Sequence, residues 1–194
     1  MSSRTLLVLG AGGHGKAVAE AALLSGQWQQ IHFVDDRWPA LRECLHWPVV
    51  GNLQGMAAAV EEADAAIVAV GNNGLREEWS ALIRNHGLEL ATVVHPRASV
   101  SASAVIGAGS AIMALAVIGV EAHLGEGVIV NAGAVVDHDV RLGAYAHLGV
   151  GVSLAGGVQI GARAWLQAGC SAGYGVAVAD AVICVPGASL AAEA

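Results

Sequence analysis

From Val94 to Leu190 the chain returns an apolar or small residue to every sixth position, seventeen times without an insertion. The series is Val94, Val100, Ile106, Ile112, Ile118, Leu124, Val130, Val136, Leu142, Leu148, Leu154, Ile160, Leu166, Ala172, Val178, Cys184 and Leu190. Four residues after each of the first sixteen stands Ala, Ser, Val or Cys. A helix requires a period near 3.6 and an ordinary strand a period of about 2, so a period of six with two inward positions describes one short strand plus one corner. Three such units close a triangular coil of about eighteen residues, and residues eighteen apart then stack along a parallel β-helix.

Before residue 94 the pattern is that of an α/β unit. Leu6 to Leu9, Ile31 to Val34, Ala65 to Val70 and Leu90 to Val94 read as strands, and Lys16 to Leu24 and Leu75 to His86 as helices, the second ended by Gly87. Strands alternating with helices imply a parallel sheet with right-handed crossovers. Arg37 to Gly55, with Trp38, Pro39, Trp47 and Pro48, reads as a loop across the sheet edge whose aromatics are packing rather than a lid. His95-Pro96 is the joint, because the residue before proline is pushed toward extended geometry. The expected domains are therefore 1–93 and 94–194.

Composition narrows the function. A net charge of -7 and the absence of a Lys/Arg cluster argue against a nucleic-acid partner. Mean hydropathy is positive (+0.59), yet the longest apolar runs are about ten residues, too short to span a membrane. Met1-Ser2-Ser3-Arg4 runs into Leu6-Leu7-Val8-Leu9 and is too soon broken by glycine to be a signal peptide, so a cytoplasmic protein is expected. Cys170 and Cys184 fall on inward beats and read as core, whereas Cys44 has no partner at metal-ligand spacing.

Directly after the first strand comes Gly10-Ala11-Gly12-Gly13-His14-Gly15-Lys16, which satisfies G-x-G-x-x-G through Gly10, Gly12 and Gly15. Such a turn presents bare amides, at the positive end of the next helix, to a phosphate. Asp35-Asp36 ends the second strand about twenty residues on, where a carboxylate can accept ribose or base hydrogen bonds. The segment is thus Rossmann-like. A nicotinamide oxidoreductase needs two such halves, and there is room for about one, so a single nucleotide carried on a substrate suits the space better.

In the coil, corner positions are mostly Gly, Ala or Ser, so the polar exceptions carry information: Asn131, Asp137-His138-Asp139, His147, and His123 one hexad before Asn131. A histidine near neutral pKa is the natural base for an amine or hydroxyl attacking a thioester, with a neighbouring carboxylate, Asp137 or Asp139, orienting it. His138 and His147 lie in adjacent hexads, where they can face one cleft while belonging to different points of the coil. Three histidines invite a zinc site, but separations of fifteen and nine residues are too wide for the carbonic anhydrases of this fold, and no metal is expected.

With the glycine turn, the Asp pair, Gly71-Asn72-Asn73, His95-Pro96 and Asn131-x6-His138-Asp139-x7-His147 in order, the chain resembles the bacterial hexapeptide-repeat sugar acyltransferases. The nearest group is the UDP-4-amino-sugar N-acetyltransferases of bacillosamine-type synthesis, with sialic-acid O-acetyltransferases as cousins. The resemblance implies a left-handed β-helix, a cytoplasmic homotrimer, and acetyl-CoA lying between neighbouring prisms. It implies that His138 is the general base on the sugar amine, paired with Asp139 where the family more often has Glu, and that Asn131 lines the same pocket. It places His147, Gly156 and Ala168 along acetyl-CoA, and Gly12, Gly13, His14, Asp35, Asp36 and Gly71 at the nucleotide. Val185-Pro186-Gly187 departs from the family's glycine-rich last coil, and its closing Pro-Ala-Lys or Pro-Ala-Arg strand is not found. The expected activity is acetyl transfer to the amine of a nucleotide-linked sugar in glycan synthesis; sugar O-acetylation and a non-catalytic scaffold are the alternatives.

Overall fold

The computed structural model describes residues 4–191, and the chain divides into two compact units, Met1–Val93 and Val94–Ala194. In the first unit β1 (Thr5–Leu9) is buried along its whole length. That burial explains its unbroken apolar run, since a strand covered on both faces needs no polar alternation. It pairs in parallel with β2 (Gln30–Val34) on one side and with β5 (Ala65–Val68) on the other. The chain therefore leaves β1 in opposite directions across the sheet, and the crevice at the C-terminal ends of these strands is where ligands bind in such sheets.

Helix α1 (Gly13–Leu24) follows β1 and buries Val18, Ala19, Ala21 and Ala22. Its start lies three residues earlier than the helix-forming residues suggest. Helix α2 (Ala57–Glu61) is short. Helix α3 (Asn73–Asn85) begins where the Asn72 side chain accepts a hydrogen bond from the Leu75 amide at 3.0 Å, an N-cap that holds an otherwise unpaired donor.

Two expectations for this unit are corrected. Arg37 to Gly55 is not a plain loop: β3 (Glu43–Cys44) and β4 (Trp47–Gly51) form an antiparallel pair, and β4 extends the sheet beside β2. Pro48 sits within β4 and masks it, because proline argues against an interior strand. Trp47 packs near Phe33, with ring centroids 6.1 Å apart, in keeping with packing rather than a lid. Leu90 to Val94 is not one sheet strand either. Leu90 forms an isolated bridge with Ala66, and Val93–Val94 is already the first strand of the coil.

The second unit realises the hexad rhythm strand by strand. Two-residue strands run from β6 (Val93–Val94) to β22 (Ser189–Leu190), each closing on one beat of the series. They stack in three parallel sheets, the three faces of a left-handed β-helix prism. Face I contains β12 (Ile129–Val130), β15 (His147–Leu148) and β18 (Trp165–Leu166); face II contains β13 (Val135–Val136); face III contains β11 (His123–Leu124) and β14 (Arg141–Leu142). The inward beats form one continuous core in which Ile112, Val130, Val136, Leu148 and Leu166 are fully buried, as is Cys170. Burying each large side chain contributes about 1.5–3 kcal/mol.

Candidate active site

In the first unit one cavity of about 330 Å³ gathers residues from three loops at the C-terminal strand ends. It is lined by Gly10, Gly12, Gly13 and His14 after β1, Asp35, Asp36 and Arg37 after β2, Ala69, Val70 and Gly71 after β5, and Trp79 from α3. All six residues expected at a nucleotide thus share one cavity. The glycines divide their work. Gly10 takes φ +105°, and a Cβ on Gly15 would lie 1.9 Å from the Gly10 carbonyl oxygen, so these two make the tight turn. A Cβ on Gly12 or Gly13 would meet nothing within 4 Å, leaving open space above the N-terminus of α1, where no side chain caps the amides. Free amides at a helix N-terminus are suited to a phosphate.

His14 stands in that first turn. Its Nε2 is enclosed and has no hydrogen-bond partner among the described residues. Burial, helped by the charge of Arg76, lowers its pKa from 6.5 to about 4, so the ring is neutral near pH 7. Asp35 is held by its neighbours. Its Oδ2 accepts from the Ala11 amide at 2.8 Å and from Arg37 Nη2 at 2.9 Å, and its Oδ1 accepts from the Arg37 amide and Nε at 3.1 and 2.7 Å. Hydrogen bonding to Arg37 is the main reason its pKa falls to about 2. With both oxygens doubly engaged, Asp35 braces the glycine turn. Asp36, whose Oδ1 accepts from the Leu53 amide at 3.2 Å, is the less committed carboxylate. Arg37 and Trp79 were not anticipated; Arg37 directly follows the Asp pair, which was the available signal.

The coil carries a second constellation at the corner between faces II and III. His138 lies between β13 and β14, and its backbone turns because Asp139 adopts φ 60°, a left-handed conformation that Asp tolerates better than most residues. That turn brings the Asp139 carboxylate back onto the ring, with Nδ1 to Oδ2 at 2.8 Å. The aspartate therefore reaches despite being one methylene shorter than Glu. Asp137 accepts from the His138 amide through Oδ1 at 2.8 Å and places Oδ2 3.9 Å from Nε2. The hydrogen bond to Asp139, then the charge of Asp137, raise the imidazole pKa above its ordinary 6.5.

Gly156 lies one coil further on. A Cβ there would come within 2.4 Å of His138 Cε1 and 2.5 Å of Nε2, so the imidazole rests where only glycine leaves room. The remaining expected residues lie elsewhere on the prism. Asn131 and Ala168 are at the corner between faces I and II, and His147 projects outward from face I, its ring stacked on Trp165 with centroids 5.3 Å apart and planes at 8°. Within one chain His138 and His147 do not face one cleft, since the corner between faces II and III is opposite face I. The physical reason is arithmetic: nine residues is half of an eighteen-residue coil. His123 projects from face III, where its Nδ1 lies 2.9 Å from the Glu121 carbonyl oxygen. Among the described residues no group of three or more His, Cys, Asp or Glu is placed to hold a metal ion.

Known proteins are similar to this chain in sequence and fold. Residues 5–83 match the family described as the PglD N-terminal domain. A UDP-N-acetylbacillosamine N-acetyltransferase of Bacillus subtilis is 32% identical over 117 residues, 57% of this chain and 52% of that protein, so the matched stretch spans about half the relative's length. A histidine-to-asparagine variant of perosamine N-acetyltransferase from Caulobacter crescentus, solved with CoA and GDP-perosamine, superposes with a TM-score of 0.82 at 35% identity, covering 97% of this chain and 91% of that one. The acetyltransferase domain of PglB from Neisseria gonorrhoeae, in complex with acetyl coenzyme A, superposes with a TM-score of 0.74 at 36% identity, covering 98% and 94%. With this likeness extending over 97% and 98% of its length, the chain belongs to the bacterial hexapeptide-repeat sugar N-acetyltransferases.

Proposed function

We propose that the protein transfers the acetyl group of acetyl-CoA to the amine of a nucleotide-linked amino sugar, of the UDP- or GDP-4-amino-4,6-dideoxy type, in the cytoplasm for surface glycan synthesis. The observation that carries this reading is the His138 corner: Nδ1 is held by Asp139, which fixes the ring and leaves Nε2 to take a proton. The amine attacks the thioester carbonyl carbon as a neutral nucleophile. Nε2 takes the proton that the nitrogen sheds as the C–N bond forms, and the sulfur leaves as the C–S bond breaks. In the first unit, the amides of Gly12 and Gly13 and the neutral His14 ring form a seat for the nucleotide phosphates.

The active enzyme is a homotrimer in this reading. One subunit supplies the corner with Asp137, His138, Asp139 and Gly156. Its neighbour supplies Asn131, His147 and Ala168, with acetyl-CoA between them. The relatives solved with CoA, acetyl-CoA and GDP-perosamine support the substrate class.

The test is a panel of UDP- and GDP-linked amino sugars, GDP-perosamine included, incubated with acetyl-CoA while free thiol is followed. At least one should be acetylated, and His138→Ala should lower kcat by about 10² or more with the coil's circular dichroism unchanged. Unchanged turnover in the variant removes His138 as the base, and no turnover by the wild type with any member removes the reading.

A further inference from the structure

So far Asp137 acts only through its charge, which helps raise the pKa of His138. The Nδ1 position that an orienting carboxylate would take belongs to Asp139, at 2.8 Å. Asp137 is instead fixed on the other side of the ring. Its Oδ1 is tied to the His138 amide at 2.8 Å, and this aims Oδ2 toward Nε2 across 3.9 Å. That distance is too long for a hydrogen bond between the two atoms. It is the gap that an N–H donor fills when it bridges an imidazole nitrogen and a carboxylate oxygen. The ring also rests on Gly156, where a Cβ would lie 2.5 Å from Nε2, so Gly156 borders Nε2 without filling the space beside it.

We propose that Asp137 is a specificity-determining residue that holds the acceptor's ammonium group beside His138 and so selects amines over hydroxyls. The inference rests on the acetyl-transfer reading above and deepens it.

The chemistry favours a carboxylate here for an amine acceptor alone. A sugar amine reaches the enzyme largely as its ammonium, and a carboxylate beside the base binds that cation by a charge-assisted hydrogen bond. One proton leaves the ammonium to solvent before attack. A second passes to Nε2 as the C–N bond forms, then to the departing sulfur as the C–S bond breaks, and the third remains on the amide. During transfer the positive charge moves from nitrogen to imidazole, and at both places it stays next to Asp137. A hydroxyl acceptor has no such charge, and an anionic sugar acid would be repelled by Asp137 and Asp139 together.

Asp137→Asn is the diagnostic variant, because it keeps the size of the side chain and the Oδ1 acceptor for the His138 amide while removing the charge. Its KM and kcat are compared with wild type on the amino sugar accepted in the panel. Its Kd is compared, by calorimetry, for the same nucleotide sugar bearing a hydroxyl in place of the amine. The expected result is a KM for the amine raised by about 10-fold, a smaller fall in kcat because the charge that helps raise the His138 pKa is lost, and an unchanged Kd for the hydroxyl compound. An unchanged amine KM overturns the proposal, and so does a parallel weakening of both ligands, which would mark Asp137 as merely structural. If the wild type acetylates no amine at all, the functional reading fails first and this inference with it; failure in Asp137→Asn alone leaves that reading standing.

Discussion

At the scale of the residue, the His138 corner works through two neighbours that do opposite things. Asp139 adds an interaction and Gly156 withholds one. The hydrogen bond from Asp139, assisted by Asp137, raises the imidazole pKa, so proton-accepting capacity is lost, as pH falls, at a value above the ordinary 6.5. Asp139→Asn removes the larger contribution and moves that acid limb of kcat/KM to lower pH, while kcat drops by about 10-fold because a less basic, less oriented ring accepts the proton. A limb that stays in place would show that the 2.8 Å contact does not set the basicity. Gly156 makes the complementary case. It has no left-handed backbone requirement, so Gly156→Ala tests space alone, and its methyl would lie 2.4 Å from Cε1. The ring must move, and displacement of a catalytic group by an ångström costs up to about 10² in rate. We expect kcat to fall at least 10-fold with the thermal midpoint little changed; wild-type kcat would mean that the base is not seated on Gly156.

At the scale of the element, the glycine turn and the coil show why some of the fold was open to reading and some was not. The coil was legible because each hexad repeats the same demand, an inward residue at a fixed interval, and each strand from β6 to β22 closes on a residue of the series. The strands β1, β2 and β5 were legible because a buried parallel sheet concentrates apolar residues in short runs. The β3–β4 pair was hidden by Pro48, and the true start of α1 by three poor helix formers, Gly13, His14 and Gly15, which a tight turn requires for reasons outside helix propensity. Asp35 was recognised by spacing, but spacing could not reveal that Arg37 would turn back and occupy it. The division among the glycines yields a direct test. Gly15→Ala drives a methyl into the Gly10 carbonyl oxygen at 1.9 Å, so the β1–α1 turn must open. Nucleotide affinity should fall by about 10-fold or more in a titration with UDP or GDP, while the coil's acetyl-CoA binding is unaffected. Equal nucleotide affinity in the variant would place that ligand somewhere other than the turn.

At the scale of the whole molecule, a triangular prism sets a constraint that no single residue reveals. His138 points from one corner and His147 from the face opposite it, so one chain cannot direct both onto one thioester. If both serve one reaction, each site must be shared between two chains, and closed symmetry then gives as many sites as subunits. The homotrimer, with a mass three times the 19.5 kDa of the chain, is the arrangement expected by light scattering. Subunit mixing tests the sharing itself. His138→Ala supplies an intact His147 surface, and His147→Ala supplies an intact His138 corner. When the two variants are unfolded and refolded together in equal amounts, about one quarter of the contacts between neighbouring subunits pair two intact halves. Assayed below the acetyl-CoA KM, the mixture should recover activity toward one quarter of wild type, well above either variant refolded alone. Activity no greater than the average of the two would show that each chain works by itself, and would remove His147 from the reaction that His138 serves.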